Sequence, residues 1–149
     1  MKKLQLAIFD KEVPIASTIE LVAALKTRDL NGTARFILPH PGGNLLCAFF
    51  VPKLAHLYIT ADDELDGPYK LEDVYLSVDL SIRGGEGDIE ICHELDGSFG
   101  PFSMSRSYCV DESLATLCFV EYYNSDGSSL PSCVQWEKLV RVGDGNSKV

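Results

Sequence analysis

The sequence contains no long apolar run. Its longest, from Leu45 to Pro52, is far shorter than the roughly 20 residues a bilayer-crossing helix needs. Met1-Lys2-Lys3 leads into a strand-like stretch, not a secretory h-region, so neither membrane insertion nor export is expected. Basic charge is also scarce: 13 Lys and Arg face 22 Asp and Glu, for a formal net charge of −9. Holding nucleic acid requires cations that displace phosphate counterions, which sets nucleic acid aside as a partner. Cysteine follows no framework. Cys47, Cys92, Cys109, Cys118 and Cys133 are odd in number, widely spaced and mostly set in apolar runs. They read as reduced core thiols of a cytoplasmic protein. Neither Cys-x-x-Cys nor His-x-x-x-His occurs, so no zinc site, and no other metal or cofactor, is expected.

What is present fits one packed domain. A chain of 149 residues with 46% hydrophobic and 23% charged residues can bury a core without staples. The reading is a single α+β domain over residues 1–142 with a polar tail over 143–149. It consists of an antiparallel sheet of about five or six strands packed by two helices.

Lys3 to Phe9 suits a first strand. Ser17-Thr18-Ile19-Glu20 has capping-box spacing, predicting a helix whose apolar positions Ile19, Val22, Ala23 and Leu25 form one face and which ends at Asn31-Gly32. Ala34 to Leu38, Asn44 to Val51 and Leu54 to Thr60 are β-branched or aromatic runs broken by Pro39, Pro41-Gly42-Gly43 and Pro52, hence three consecutive antiparallel strands. Val74 to Ile82 alternates, and Gly84, Gly85 and Gly87 suit a hairpin into Ile89 to His93. Asp111 can cap a second helix carrying Leu114, Ala115, Leu117, Cys118, Val120 and Tyr122. Val134-Gln135-Trp136 suits a last strand.

Charge is unevenly distributed. From Ala61 to Asp96 there are 12 acidic residues against Lys70 and Arg83, leaving 10 acidic and 11 basic residues elsewhere. Such a field steers a basic partner. Solubility alone is the plainer account of the same residues.

Catalytic constellations are missing from the pattern. Arg83-Gly84-Gly85-Glu86-Gly87-Asp88 places carboxylates where a phosphate would sit. Cys92 and His93 are neighbours on a strand, pointing to opposite faces, and cannot readily form a nucleophile and base pair. Asp62-Asp63-Glu64-Leu65-Asp66-Gly67 lacks the ligand alternation of a calcium loop. His40 lies in a proline turn and His56 in a strand, with nothing marking either for chemistry. No catalytic residue is assigned, and the chain is not expected to be an enzyme.

One layout carries a resemblance. Tyr108-Cys109-Val110-Asp111-Glu112-Ser113-Leu114 runs through Phe119-Val120-Glu121-Tyr122-Tyr123, and Pro131-Ser132-Cys133-Val134-Gln135-Trp136-Glu137 follows. A capped helix ends in an aromatic pair, a short loop carries a proline, and a V-x-W-E strand comes next. This resembles the first immunity-protein family of bacterial polymorphic toxin systems, commonly found beside nucleic-acid deaminase toxins. The helix-then-strands order of the N-terminal half is similar to that family as well. The family often has a basic residue before the loop proline, where this chain has Leu130.

The resemblance implies an inhibitor of a cognate toxin's C-terminal domain that occludes the active site or substrate groove. The motif's own Tyr122, Tyr123 and Trp136 have the bulk to pin helix to sheet. Charge places the expected contact surface on Asp62, Asp63, Glu64 and Asp66 with Glu86, Asp88 and Glu90. Tyr69 and Phe99 are added as aromatic anchors beside them. The competing readings are a non-catalytic adaptor or structural subunit, marked by a large apolar patch, and a small hydrolase, marked by a concave pocket with a perturbed carboxyl. The oligomeric state stays open.

Overall fold

A computed structural model describes residues 4–8, 11–30, 32–64, 66–79, 88–91 and 102–139; for residues 4, 88–91 and 102–105 it describes the backbone alone. The chain runs β1 (Leu4–Ile8), β2 (Lys11–Ile15), α1 (Thr18–Ala24), β3 (Ala34–Pro39), β4 (Asn44–Val51), β5 (Leu54–Ala61), β6 (Val74–Val78), β7 (Asp88–Ile91), β8 (Phe102–Ser105), β9 (Val110–Asp111), α2 (Glu112–Asn124) and β10 (Gln135–Leu139). It is a single α+β domain, an antiparallel sheet packed by two helices. Among the described residues the main sheet has eight strands, in the order β10-β6-β5-β4-β3-β1-β2 with β9 added beside β5. That exceeds the five or six expected. The extra strands are short or polar: β9 has two residues, and β2 reads Lys-Glu-Val-Pro-Ile. Pro14 is tolerated because β2 is an edge strand.

The centre of the sheet, β3 to β5, matches the three anticipated runs. Alternation decides which side chains turn toward the helices: Phe36 and Leu38 from β3, Leu46, Ala48 and Phe50 from β4, and Ala55, Leu57 and Ile59 from β5 are all buried. Leu21 and Leu25 of the α1 region and Ala115, Cys118, Phe119 and Tyr122 of α2 pack onto them. Phe36 meets Phe50 edge-on at 5.3 Å and Phe119 at 6.3 Å. Burying each such ring is worth about 1.5–3 kcal/mol over leaving it exposed. The Arg28 guanidinium lies 4.4 Å over Phe50 and donates to the Leu25 carbonyl, closing the edge of this core.

The helix starts follow the sequence closely. Ser17 Oγ accepts from Glu20 N at 3.2 Å, while Glu20 reaches back to Ala16 N at 2.8 Å. Asp111 accepts from Ser113 N at 2.8 Å. The inward faces differ from expectation. Ile19 is 81% exposed and Leu117 53% exposed, because the short α1 is anchored by Leu21 and Leu25, and α2 presents Phe119 and Tyr123 inward instead. Nor does α1 extend to Asn31-Gly32. It stops at Ala24, and Gly32 serves a separate turn in which Thr33 N and Oγ1 bond to Asp29.

Among the described residues β7 pairs with β8 in a second, two-stranded sheet and not with β6. β6 instead lies between β5 and β10. The glycine stretch 84–87 itself, the 96–101 loop and the 143–149 tail lie outside the described residues. Trp136 packs against the core half-buried, its indole N–H donating to Pro131 O at 2.8 Å. Among the described residues no helix is long and apolar enough to cross a membrane.

Candidate acidic site at the end of the sheet

The site is built on the β3–β4 turn. Pro39 ends β3, and His40 closes the turn by accepting Gly43 N at 2.9 Å and donating its own N–H to Asn44 O at 3.0 Å. Below, the His40 ring is fully used. Its Nδ1 accepts from Gly42 N at 2.9 Å, so Nε2 carries the hydrogen and donates to Ser125 O at 2.9 Å. The ring also packs 4.7 Å from Tyr122. The turn is thereby tied to the C-terminus of α2. Gly127, at φ 84°, permits this approach, since a Cβ there would stand 2.7 Å from His40 Nδ1.

The acidic segment after β5 folds back over this turn. Asp62 N donates to Gly43 O and Tyr69 N to Gly42 O, both at 2.9 Å. Asn44, 1% exposed, serves both sides of the junction: its amide donates to Tyr69 O at 2.8 Å and its carbonyl accepts Leu71 N at 2.9 Å. Gly67 passes directly over Gly42, where a Cβ would sit 2.3 Å from the backbone.

Docking the segment in this way creates an open cleft of about 540 Å³. Its floor is Pro39, Leu45, Thr60, Ala61 and Leu71, and its walls carry Asp62, Asp63, Glu64, Glu72 and Asp73. Pro39, Leu45 and Thr60 are direct cross-strand partners, so these three lie on the sheet face opposite the one bearing Leu38 and Leu46, whereas Ala61 shares the Leu46 face and Leu71 packs against the main core. Lys138 on β10 lies 3.6 Å from Asp73 at the margin.

The expected contact residues divide into three groups. Asp62, Asp63 and Glu64 come together in the cleft, but Asp62 is only 8% exposed and uses its carboxylate to accept Glu64 N at 2.9 Å. It shapes the loop more than it faces solvent. Asp66 and Tyr69 lie exposed on the same loop, Tyr69 at 40%, outside the cleft lining. Asp88 and Glu90 sit on β7 with only their backbone described, and Glu86 and Phe99, like Cys92 and His93, lie outside the described residues. Glu72 and Asp73 were not singled out from sequence, although they belong to the acidic stretch 61–96 that the charge count marks. Asn44 and Gly67 carried no local signal at all.

The arrangement suits a cationic group approaching from solvent. Among the described residues no three His, Cys, Asp or Glu side chains converge to hold a metal ion. Elsewhere on the sheet face bearing Leu45 and Thr60, burial pushes the Cys47 thiol up to about 12 and the Tyr58 hydroxyl up as well, with the two side chains hydrogen-bonded to each other. Cys47 therefore stays protonated at neutral pH.

No family model matches the chain, and no curated protein matches it either. The likeness to the immunity-protein family thus rests on the quoted residues. Of these, Tyr122 and Tyr123 are buried and Trp136 half-buried, holding α2 and the start of β10 to the sheet; they are scaffold in this fold.

Proposed function

We propose that this chain is a cytoplasmic immunity protein, not an enzyme, that binds the C-terminal domain of a cognate bacterial toxin and blocks its active site or substrate groove. The observation that carries the reading is the cleft walled by Asp62, Asp63, Glu64, Glu72 and Asp73. A toxin acting on nucleic acid, such as a deaminase, presents a basic groove to the phosphate backbone. A concave acidic surface accepts the lysines and arginines of such a groove and speeds encounter. Tyr69, exposed on the loop that bounds the cleft, supplies an aromatic anchor of the kind that dominates interface energetics. The Tyr122, Tyr123 and Trp136 layout supports the family reading independently of charge.

The test is co-expression with the C-terminal domain of the toxin encoded beside this chain, scoring survival and co-elution on size exclusion. Survival with a stable complex is the expected result. Cell death despite good expression of this chain would reject immunity against that toxin. In a rescuing pair, the triple variant Asp63→Asn, Glu64→Gln, Glu72→Gln should associate at least about tenfold more slowly at low salt and show a shallower salt dependence. Unchanged association would move the contact surface to another face while leaving immunity standing.

A further inference from the structure

Two of the cysteines are held together across the helix-to-strand connection. Cys118 lies on the buried face of α2, and Cys133 lies half-buried in the turn before β10. Their sulfurs are 2.8 Å apart, and a disulfide bond is about 2.05 Å long, so closure requires a shift of about 0.8 Å.

The approach is imposed by contacts that do not involve sulfur. Ser132 N and Oγ bond to the Glu121 carboxylate at 2.9 and 3.2 Å, and the Trp136 indole grips Pro131 O at 2.8 Å. Both flanks of Cys133 are therefore pinned to α2 or to the loop itself. Cys133 Sγ also lies 3.7 Å from the Leu114 carbonyl, along the same helix.

We infer that Cys118 and Cys133 form a redox-modification site, closing an intramolecular disulfide when the chain meets a small-molecule disulfide oxidant. The partly exposed Cys133 reacts first. Its thiolate attacks the small disulfide, forming a mixed disulfide and releasing one small thiolate. The Cys118 thiolate then attacks the Cys133 sulfur, forming the internal bond and expelling the second. The two cysteine protons pass to the two released thiolates, and the two electrons lost by the cysteine pair reduce the small disulfide.

Burial raises the pKa of both thiols, and the Glu121 carboxylate adds to that shift in each. The reaction is correspondingly slow at neutral pH. In a reducing compartment the pair rests as thiols, and sustained oxidation staples α2 to the lead-in of β10.

The test uses the full chain carrying Cys92→Ser, incubated with oxidised glutathione, alkylated and digested with a protease cutting after glutamate. Cleavage after Glu121 separates the two cysteines into different peptides. The expected result is an intact mass lower by about 2 Da, the two peptides joined, a raised Tm, and reversal of all three by a reducing agent. Cys133→Ser, which keeps a hydroxyl at the site, should abolish the joined peptide and the Tm shift together. A persistent glutathione adduct on Cys133, a dimer linked through Cys133, or an unmodified chain would each overturn the assignment.

Discussion

The carbonyl of Tyr108 receives two donors, the His56 ring at 2.7 Å and the Ser77 hydroxyl at 3.1 Å. This follows from how β5 is shared: it pairs with β9 at Leu54 and Ala55 and with β6 only from Tyr58 onward. Residues 56 and 57 fall in the gap, and Ser77 Oγ fills it by accepting Leu57 N at 3.0 Å. A carbonyl can only accept, so His56 Nδ1 carries a hydrogen. Burial pushes the His56 pKa below the ordinary imidazole value, opposed by its bond to Tyr108. As pH falls, the unfolded chain therefore takes up this proton first, at about 6.5. Stability contributed by the neutral ring is complete above that value and is lost as pH drops toward the lower folded pKa. The slope is no steeper than about 1.4 kcal/mol per pH unit for one site. Urea unfolding of the native chain should show this loss between about pH 7 and 5, and His56→Asn, which keeps a donor but does not titrate, should flatten it. Parallel profiles would mean that another group governs the window.

At the scale of elements, what could be read in advance depended on whether the signal was local. β3, β4 and β5 were legible because β-branched and aromatic runs alternate between proline and glycine stops, and both helix starts were legible because Ser17 and Asp111 cap through neighbours two or three residues away. β2 and β9 were not, since their strand character comes from pairing with β1 and β5 and not from their own composition. The site divides the same way. The acidic stretch was visible as composition, but the inward turn of Asp62 and the arrival of Glu72 and Asp73 beside it depend on the loop docking on a turn some 25 residues earlier in sequence. That docking is sterically exacting at Gly67, whose φ is unremarkable but whose absent side chain lets the loop lie on Gly42. Gly67→Ala would drive a Cβ to 2.3 Å from backbone atoms that cannot rotate away. It should cost about 1–3 kcal/mol. The loss should be accompanied by faster amide exchange at Asp62 and Tyr69, whose N–H groups bond to the turn. Protection at those two amides equal to that of the native chain would show that the loop holds without this contact.

For the molecule as a whole, the cleft is a concentration of like charge in a chain already at −9. Asp62, Asp63, Glu64, Glu72 and Asp73 share its walls, and Lys138 offers one exposed counter-charge at 3.6 Å from Asp73. A surface arranged this way should weaken the fold that carries it, because unfolding lets the carboxylates separate. Salt relieves the repulsion: the screening length falls from about 30 Å at 0.01 M to about 8 Å at 0.15 M. Raising NaCl over that range should therefore raise Tm. The triple variant Asp63→Asn, Glu64→Gln, Glu72→Gln should start about 2–4 °C higher at low salt and respond less to salt. The two effects are linked, since a field that repels within the chain is the same field that draws a basic partner. A variant that gains stability and loses association rate would show the acidic surface to be maintained at the expense of the fold. Equal Tm and equal salt response in the native and neutralised chains would mean that the carboxylates are solvated one by one, which removes the electrostatic basis for assigning the partner to this cleft.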